Sequence, residues 1–455
     1  KESEFTAAAK ATQKQQAESI GNNIYPFTQM VSRNGITPEI MYAYQGLEET
    51  EGKIFENAEF IPLELDTAKV PLTLEIIPSE NEFKIVVEYD TTLYNKRDME
   101  TLAKMVGIFA ERAAEENDVR EISLTDEAEE RALITLGQGE RREYDRSETF
   151  IDLFVRQAKL TPGSIAVSDG SRELTYKELD QRSNALANEL ITLGVRPNDF
   201  VCVMVDRTVN FPLAAIAVQK AGAAYVPIDP EYPEERIAYM IGDSEAKILI
   251  TDRSVYNDDI ALSAEQIFID ELETRDSAPV NLSRPDGRAY MIYTSGTTGE
   301  PKGSIITHAS LRSFISAQTE YLHLSPLDRI SGHSSFAFDA HVIDFFPVVT
   351  VGGAFFIIPS DARKDAESIR KFFYANNRTG GLFTPSIAKL LTENEAPLPL
   401  RFINSGGEKT VGVWHPTVTI NNFYGPTECT CATTGYTIEP GVKLEEIPIG
   451  RSIAN

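Results

Sequence analysis

From residue 150 onward the chain alternates between two hydrophobic periods. YKELDQRSNALANELITLG (176–194) carries apolar positions at helical spacing and stops at a glycine, whereas FVCVMV (200–205) is an unbroken apolar run. FPLAAIAVQKAG (211–222) then reads as helix, AYVPI (224–228) as strand, EERIAYMIGDS (234–244) as helix and AKILIT (246–251) as strand. Near-continuous apolar strands between helices predict a mainly parallel α/β sheet covered on both faces, which binds ligands at the carboxyl ends of its strands. FFPVVTVGGAFFII (345–358) is read as buried strand and turn. Residues 1–130 have another character. AAAKATQKQQAESIGN reads as helix, IPLELD (61–66), PLTLEIIP (71–78) and FKIVVEYD (83–90) as strands, and RDMETLAKMVGIFAERAAEE as an amphipathic helix, together an α+β unit. Residues 131–148, charged and glycine-containing, read as a linker before a second domain over 149–455.

Composition narrows the classes. At 455 residues the chain exceeds one ordinary core, so two or three domains are expected. A formal charge of -26, from 69 acidic against 43 basic residues, argues against nucleic acid or an anionic membrane as a partner. The stretch at 345–358 is shorter than the ~20 residues a membrane helix needs and is broken by proline and glycine. Three cysteines, Cys202, Cys429 and Cys431, make neither a disulfide framework nor a zinc site, and their sparseness suits the cytoplasm. Opening at Lys1 in mid-pattern, the chain reads as part of something longer.

Candidate chemistry concentrates in three places. MIYTSGTTGEPKG (291–303) runs an apolar strand into a loop that offers Ser295, Thr297, Thr298, three glycines and Lys302. Glycines bare backbone N–H groups, hydroxyls donate further hydrogen bonds and the lysine supplies charge, as a polyphosphate requires. The spacing is not that of a Walker P-loop. NNFYGPTECT (421–430) sets an aromatic face, Tyr424, beside a Gly-Pro turn, with the Thr427 hydroxyl in reach of a phosphate and the Glu428 carboxylate suited to Mg2+. Taken alone, the same string also reads as a turn with a capped helix start. Asp339 stands within the apolar stretch SSFAFDAHVIDFF, where it is either a helix N-cap or a carboxylate awaiting a cation. Asp344 reads as solvated or capping, and His341 as a core or surface histidine.

With these motifs in place, residues 149–455 resemble the amino-acid adenylation domain of nonribosomal peptide synthetases, members of the adenylate-forming (ANL-type) family. LTYKELDQRSNALA, KAGAAYVPIDPEYPEERIAYM, YTSGTTGEPKG, FDA at 338–340, NNFYGPTE and IPIGR occur in the family's order. The resemblance implies a large α/β core that activates an amino acid with ATP and Mg2+ as aminoacyl-AMP, for transfer to the phosphopantetheine thiol of a carrier domain. It implies that Thr294, Ser295, Gly296, Thr297, Thr298, Gly299 and Lys302 hold the phosphates, and that Gly406, Gly407, Asn422, Tyr424, Gly425 and Thr427 complete the nucleotide site. Glu428 would carry the metal, with Thr298, Lys302 and Glu428 acting on the reacting phosphate. Asp339 would anchor the substrate ammonium in a pocket formed with Phe338, Ala340, Ile343, Ser386, Asn404, Gly406, Phe423, Cys431 and Ala432. The last two depend on how the stretch after Glu428 is aligned.

That lining holds no counter-charge to a charged side chain, which points to a small or medium, uncharged amino acid. Residues 1–130 resemble the closing part of a condensation domain without its histidine-containing catalytic motif, so a packing role is expected there. The family's ribose-binding aspartate, its hinge and the lid bearing its catalytic lysine have no counterpart up to Asn455, and weak activity of this stretch alone is expected. A free-standing acyl- or aryl-CoA ligase and a non-catalytic scaffold fragment are the rival readings.

Overall fold

The computed structural model describes residues 5–21, 33, 35, 38–44, 67, 70–78, 82–113, 118–257, 263–272, 277–295, 301–393 and 395–455. They fall into two compact units, Lys1–Thr135 and Leu136–Asn455. In the first, a helix over Phe5–Gly21 is followed by a three-stranded sheet in the order Ile40–Tyr44, Leu72–Pro78, Phe83–Tyr89. The first pair is parallel and the second antiparallel. Helix Lys96–Arg112 starts where the Asn95 side chain accepts from the Asp98 backbone N–H at 2.9 Å, and it buries Met99. The strand Ile40–Tyr44 escaped the sequence reading, and the strand expected at 61–66 lies outside the described residues.

The second unit holds two sheets. One runs Pro301–Thr307, Arg288–Ser295, Ala224–Pro227, Phe200–Met204, Ile248–Thr251, Glu265–Phe268, parallel throughout except for the antiparallel edge pair Arg288–Ser295 with Pro301–Thr307. The other has nine strands. Its six central ones, Thr419–Tyr424, Phe402–Gly406, Gly380–Phe383, Arg329–Gly332, Ala354–Ile357 and Ile165–Ser168, are parallel neighbours. Antiparallel strands finish both edges. Capping boxes start the helices Phe150–Leu160 and Tyr176–Thr192, where Thr149 pairs with Asp152 and Thr175 with Glu178.

One apolar cluster joins residues of both sheets, among them Val201, Tyr225 and Ile248 of the first and Ile330, Phe355 and Phe423 of the second. Helices Asn210–Lys220 and Ala340–Thr350 lie within it and are buried nearly all round, which is why they lack a polar face. Here the structure corrects the reading of 345–358. Its first half continues the helix Ala340–Thr350 through Pro347, Gly352 turns the chain at φ +88°, and only Ala354–Ile357 is strand. An element buried on every side shows neither a 3.6- nor a 2-residue period, so its apolar run could not separate helix from strand. Asp344 is corrected with it. It sits in this helix at 1% exposure and is neither solvated nor a cap.

Candidate active site

The strand Arg288–Ser295 is buried through Tyr293, whose hydroxyl donates to Asp243 Oδ2 at 2.6 Å, and becomes exposed at Ser295. The chain returns as the strand Pro301–Thr307, an element absent from the sequence reading, with Thr294 opposite Lys302 and Ser295 opposite Pro301. The candidate phosphate loop therefore connects two strands that pair antiparallel. Thr294, Ser295 and the exposed Lys302 form its base, while Gly296, Thr297, Thr298 and Gly299 lie outside the described residues.

The second constellation follows the strand Thr419–Tyr424 at the carboxyl end of the nine-stranded sheet. Tyr424 is 53% exposed, as a ring offered to a ligand must be. Gly425 permits the turn, since a Cβ there would stand 2.6 Å from Ala432 Cα and 2.8 Å from Cys431 O. Thr427–Cys429 then form a short 3-10 turn, not an α-helix start, with Glu428 exposed. Thr430 and Cys431 continue it at φ +61° and +80°, two successive side-chain-bearing residues in the left-handed region.

Asp339 connects the constellations. It occupies the N-cap position of helix Ala340–Thr350, yet its side chain caps no backbone N–H. Instead the Thr427 hydroxyl donates to Asp339 Oδ2 at 2.7 Å. Burial pushes the Asp339 carboxyl above its ordinary pKa, the Thr427 bond works against that rise, and the nearby Glu428 charge adds to it. Cys431 is held well above the usual thiol range by burial and then by the charges of Asp339 and Asp344, which places all three acids in one neighbourhood.

The remaining positions expected to line the pocket divide by environment. Ile343, Asn404, Phe423 and Ala432 are buried, Ala340, Gly406 and Cys431 are partly exposed, and Phe338 and Ser386 are exposed. Gly406 pairs with Phe423 across neighbouring parallel strands, and a Cβ on it would reach Phe423 O at 2.6 Å. Gly407 turns away at φ +91° with open space around it. The Asn422 side chain is engaged within the fold, donating to Pro448 O at 2.8 Å and accepting from the Thr410 hydroxyl at 2.7 Å. His341 is a core residue. Its Nδ1–H donates to Phe338 O at 2.6 Å, its Nε2 accepts from the Tyr225 hydroxyl at 2.8 Å, and burial lowers its pKa to about 4.

Among the described residues no three His, Cys, Asp or Glu side chains converge as a metal cage. A single exposed carboxylate at Glu428 fits a magnesium ion that takes its other oxygens from nucleotide phosphates and water. The described residues also contain no helix long and apolar enough to cross a membrane.

The AMP-binding enzyme family matches residues 154–455. The chain belongs to that family. Tyrocidine synthase 2 of Brevibacillus parabrevis is 30% identical over 458 residues, spanning 96% of this chain and 13% of that protein. Surfactin synthase subunit 1 of Bacillus subtilis is 32% identical over 404 residues, spanning 87% of this chain and 11% of that protein. The chain thus spans only about an eighth or less of these curated relatives. A solved four-domain nonribosomal peptide synthetase bound to AMP and glycine superposes with a TM-score of 0.82 at 21% identity, covering all of this chain and 36% of that one. Residues 154–455 of this AMP-binding enzyme are homologous to the adenylation domains of the tyrocidine, bacitracin and surfactin synthases.

Proposed function

We propose that the unit Leu136–Asn455 activates an uncharged amino acid with ATP, and that a carrier-domain phosphopantetheine thiol of the full-length protein then accepts the aminoacyl group. The observation that supports this reading is the bond from the Thr427 hydroxyl to Asp339, the residues proposed here to meet a phosphate and the substrate ammonium. Asp339 fixes the substrate ammonium, which points the substrate carboxylate toward the Thr427 side of the site. A carboxylate oxygen attacks the α-phosphorus, the new P–O bond forms, the α–β bridging bond breaks and pyrophosphate leaves with the electron pair. Thr294, Ser295, Gly296, Thr297, Thr298, Gly299 and Lys302 steady the departing phosphates, and Tyr424, with Gly406, Gly407 and Asn422, frames the adenine. Glu428 would hold magnesium, which would add neutralisation of the phosphate charge. Thiolate attack on the acyl carbon then forms a thioester and expels AMP. In this reading catalysis rests on positioning and on charge neutralisation, with no covalent enzyme intermediate.

The same reading makes residues 1–130 the closing part of a condensation domain and places the protein in the cytoplasm. Helices flanking a small sheet, and relatives whose similarity extends over 96% of the chain, support the former. The test is ATP–pyrophosphate exchange on the full-length protein across the standard amino acids. Exchange with an uncharged amino acid, abolished in Asp339→Ala, is expected. Turnover with coenzyme A and a fatty or aryl acid instead makes the protein an acyl-CoA ligase. Absence of both exchange and MgATP binding makes it a scaffold.

A further inference from the structure

The helix Glu234–Asp243 reaches both strands that flank the candidate phosphate loop. On the strand entering the loop, Tyr293 is 4% exposed, and its hydroxyl donates to Asp243 Oδ2 at 2.6 Å with Met240 O 3.4 Å away. On the returning strand, the Tyr239 hydroxyl donates to Pro301 O at 3.1 Å. The Tyr239 and Tyr293 rings meet edge to face, with centroids 6.4 Å apart. Residues 239–243 thus hold the last buried residue before the loop and the first residue of the strand after it. The motif KAGAAYVPIDPEYPEERIAYM (220–240) ends on this helix, and the adenylation reading leaves it without a task.

The polarity of both bonds is fixed. A carbonyl oxygen only accepts, and burial, followed by the Asp243 bond, holds the Tyr293 phenol above its ordinary pKa and so protonated. The two ends of the loop differ in what else secures them. Tyr293 closes a run of five buried strand residues, whereas Pro301–Thr307 is an edge strand in which only Ile306 is buried. Pro301 also brings no N–H to the ladder. The Tyr239 bond is therefore a tie from outside the sheet at the less secured end, next to Lys302.

We propose that Tyr239 is a positioning residue for the nucleotide phosphates, which together with the Tyr293–Asp243 bond holds the two ends of the phosphate loop at one separation. The inference rests on the adenylation reading and adds to it a residue that touches no substrate. A loop whose ends are fixed meets phosphates with its donors already aimed, whereas a loose one must be ordered at the expense of binding. ATP and pyrophosphate both engage the loop through phosphates, and the amino acid does not. Losing the Tyr239 hydroxyl therefore weakens the first two and spares the third.

The experiment is ATP–pyrophosphate exchange on the full-length protein, comparing the parent with Tyr239→Phe, which removes the hydroxyl and keeps the ring. KM for ATP and for pyrophosphate should each rise about 2- to 10-fold, the scale of one hydrogen bond, while KM for the amino acid and the melting temperature stay at the parental values. Tyr256→Phe, a matched change beside Phe268 on the opposite edge strand of the same sheet, should leave all four unchanged. The proposal is overturned if Tyr239→Phe leaves ATP and pyrophosphate unaffected, or if Tyr256→Phe weakens them as much. It is equally overturned if Tyr239→Phe raises KM for the amino acid as far as for ATP, the mark of general support. No exchange with any amino acid overturns the adenylation reading, and calorimetry then still decides the role of Tyr239. MgATP bound more weakly by Tyr239→Phe than by the parent upholds it, and equal or absent binding overturns it.

Discussion

Replacing Thr427 by valine keeps the shape of the side chain and removes the hydroxyl that donates to Asp339 at 2.7 Å. Asp339 is only partly exposed, burial raises its pKa, and Thr427 is the largest influence opposing that rise. A hydrogen bond to a charged group is worth about 1.5–3 kcal/mol net. Its loss lifts the Asp339 carboxyl further above its ordinary range. The ionised carboxylate is the form that holds an ammonium. Binding is therefore present above the Asp339 pKa and lost as pH falls through it, and in Thr427→Val that loss sets in at higher pH than in the parent. The readout is the pH dependence of KM for the amino acid in pyrophosphate exchange, measured on the full-length parent, Thr427→Val and Thr427→Ser. The serine variant retains a donor and should track the parent. An acid limb at the same pH in all three proteins would refute the reasoning, because the bond would then carry no weight in solution.

Three further outcomes are expected. His308, His333 and His341 are buried, and burial lowers each to about 4, so the unfolded chain takes up these protons first as pH falls. Stability should decline between about pH 6.5 and 4 by at most ~3 kcal/mol per histidine, and urea midpoints that stay flat from pH 6.5 to 5 would contradict this. The fully buried Lys220 ammonium donates to Asp180 Oδ1 at 2.6 Å and Asn184 Oδ1 at 2.8 Å; Lys220→Met should cost ~3–5 kcal/mol, with part of the loss recovered in the double variant with Asp180→Leu. Gly425→Ala drives a Cβ into the backbone of Cys431–Thr433, and should cost ~1–3 kcal/mol in denaturant unfolding and displace Thr427 enough to raise KM for both substrates.

Much of the second unit was legible because its elements carry their own punctuation. The helix Tyr176–Thr192 has an apolar stripe and ends before Gly194 at φ +88°, and the strands Phe200–Met204 and Ile248–Thr251 are unbroken apolar runs. What escaped was set by neighbours. Pro301–Thr307 lies at a sheet edge with an exposed lysine and glycine, so little apolar alternation marks it as a strand. The helix Ala340–Thr350 is enclosed on every side, and enclosure erased the period that would have identified it. Local sequence left Asp339 between a cap and an anchor, and its bond from Thr427, 88 residues away in the chain, is a contact that no local pattern announces.

The last residues of the second unit return to its first. Asn455 N donates to Glu140 O at 3.0 Å, Arg142 N donates to Asn455 Oδ1 at 2.9 Å and the Ser452 hydroxyl donates to Gly137 O at 2.7 Å. Gly139 admits this closure, since a Cβ there would collide with Ile453 O at 1.9 Å. For protein engineering this clasp sets a constraint: a junction placed between Gly139 and Phe150 would sever the strap from the strand it fastens.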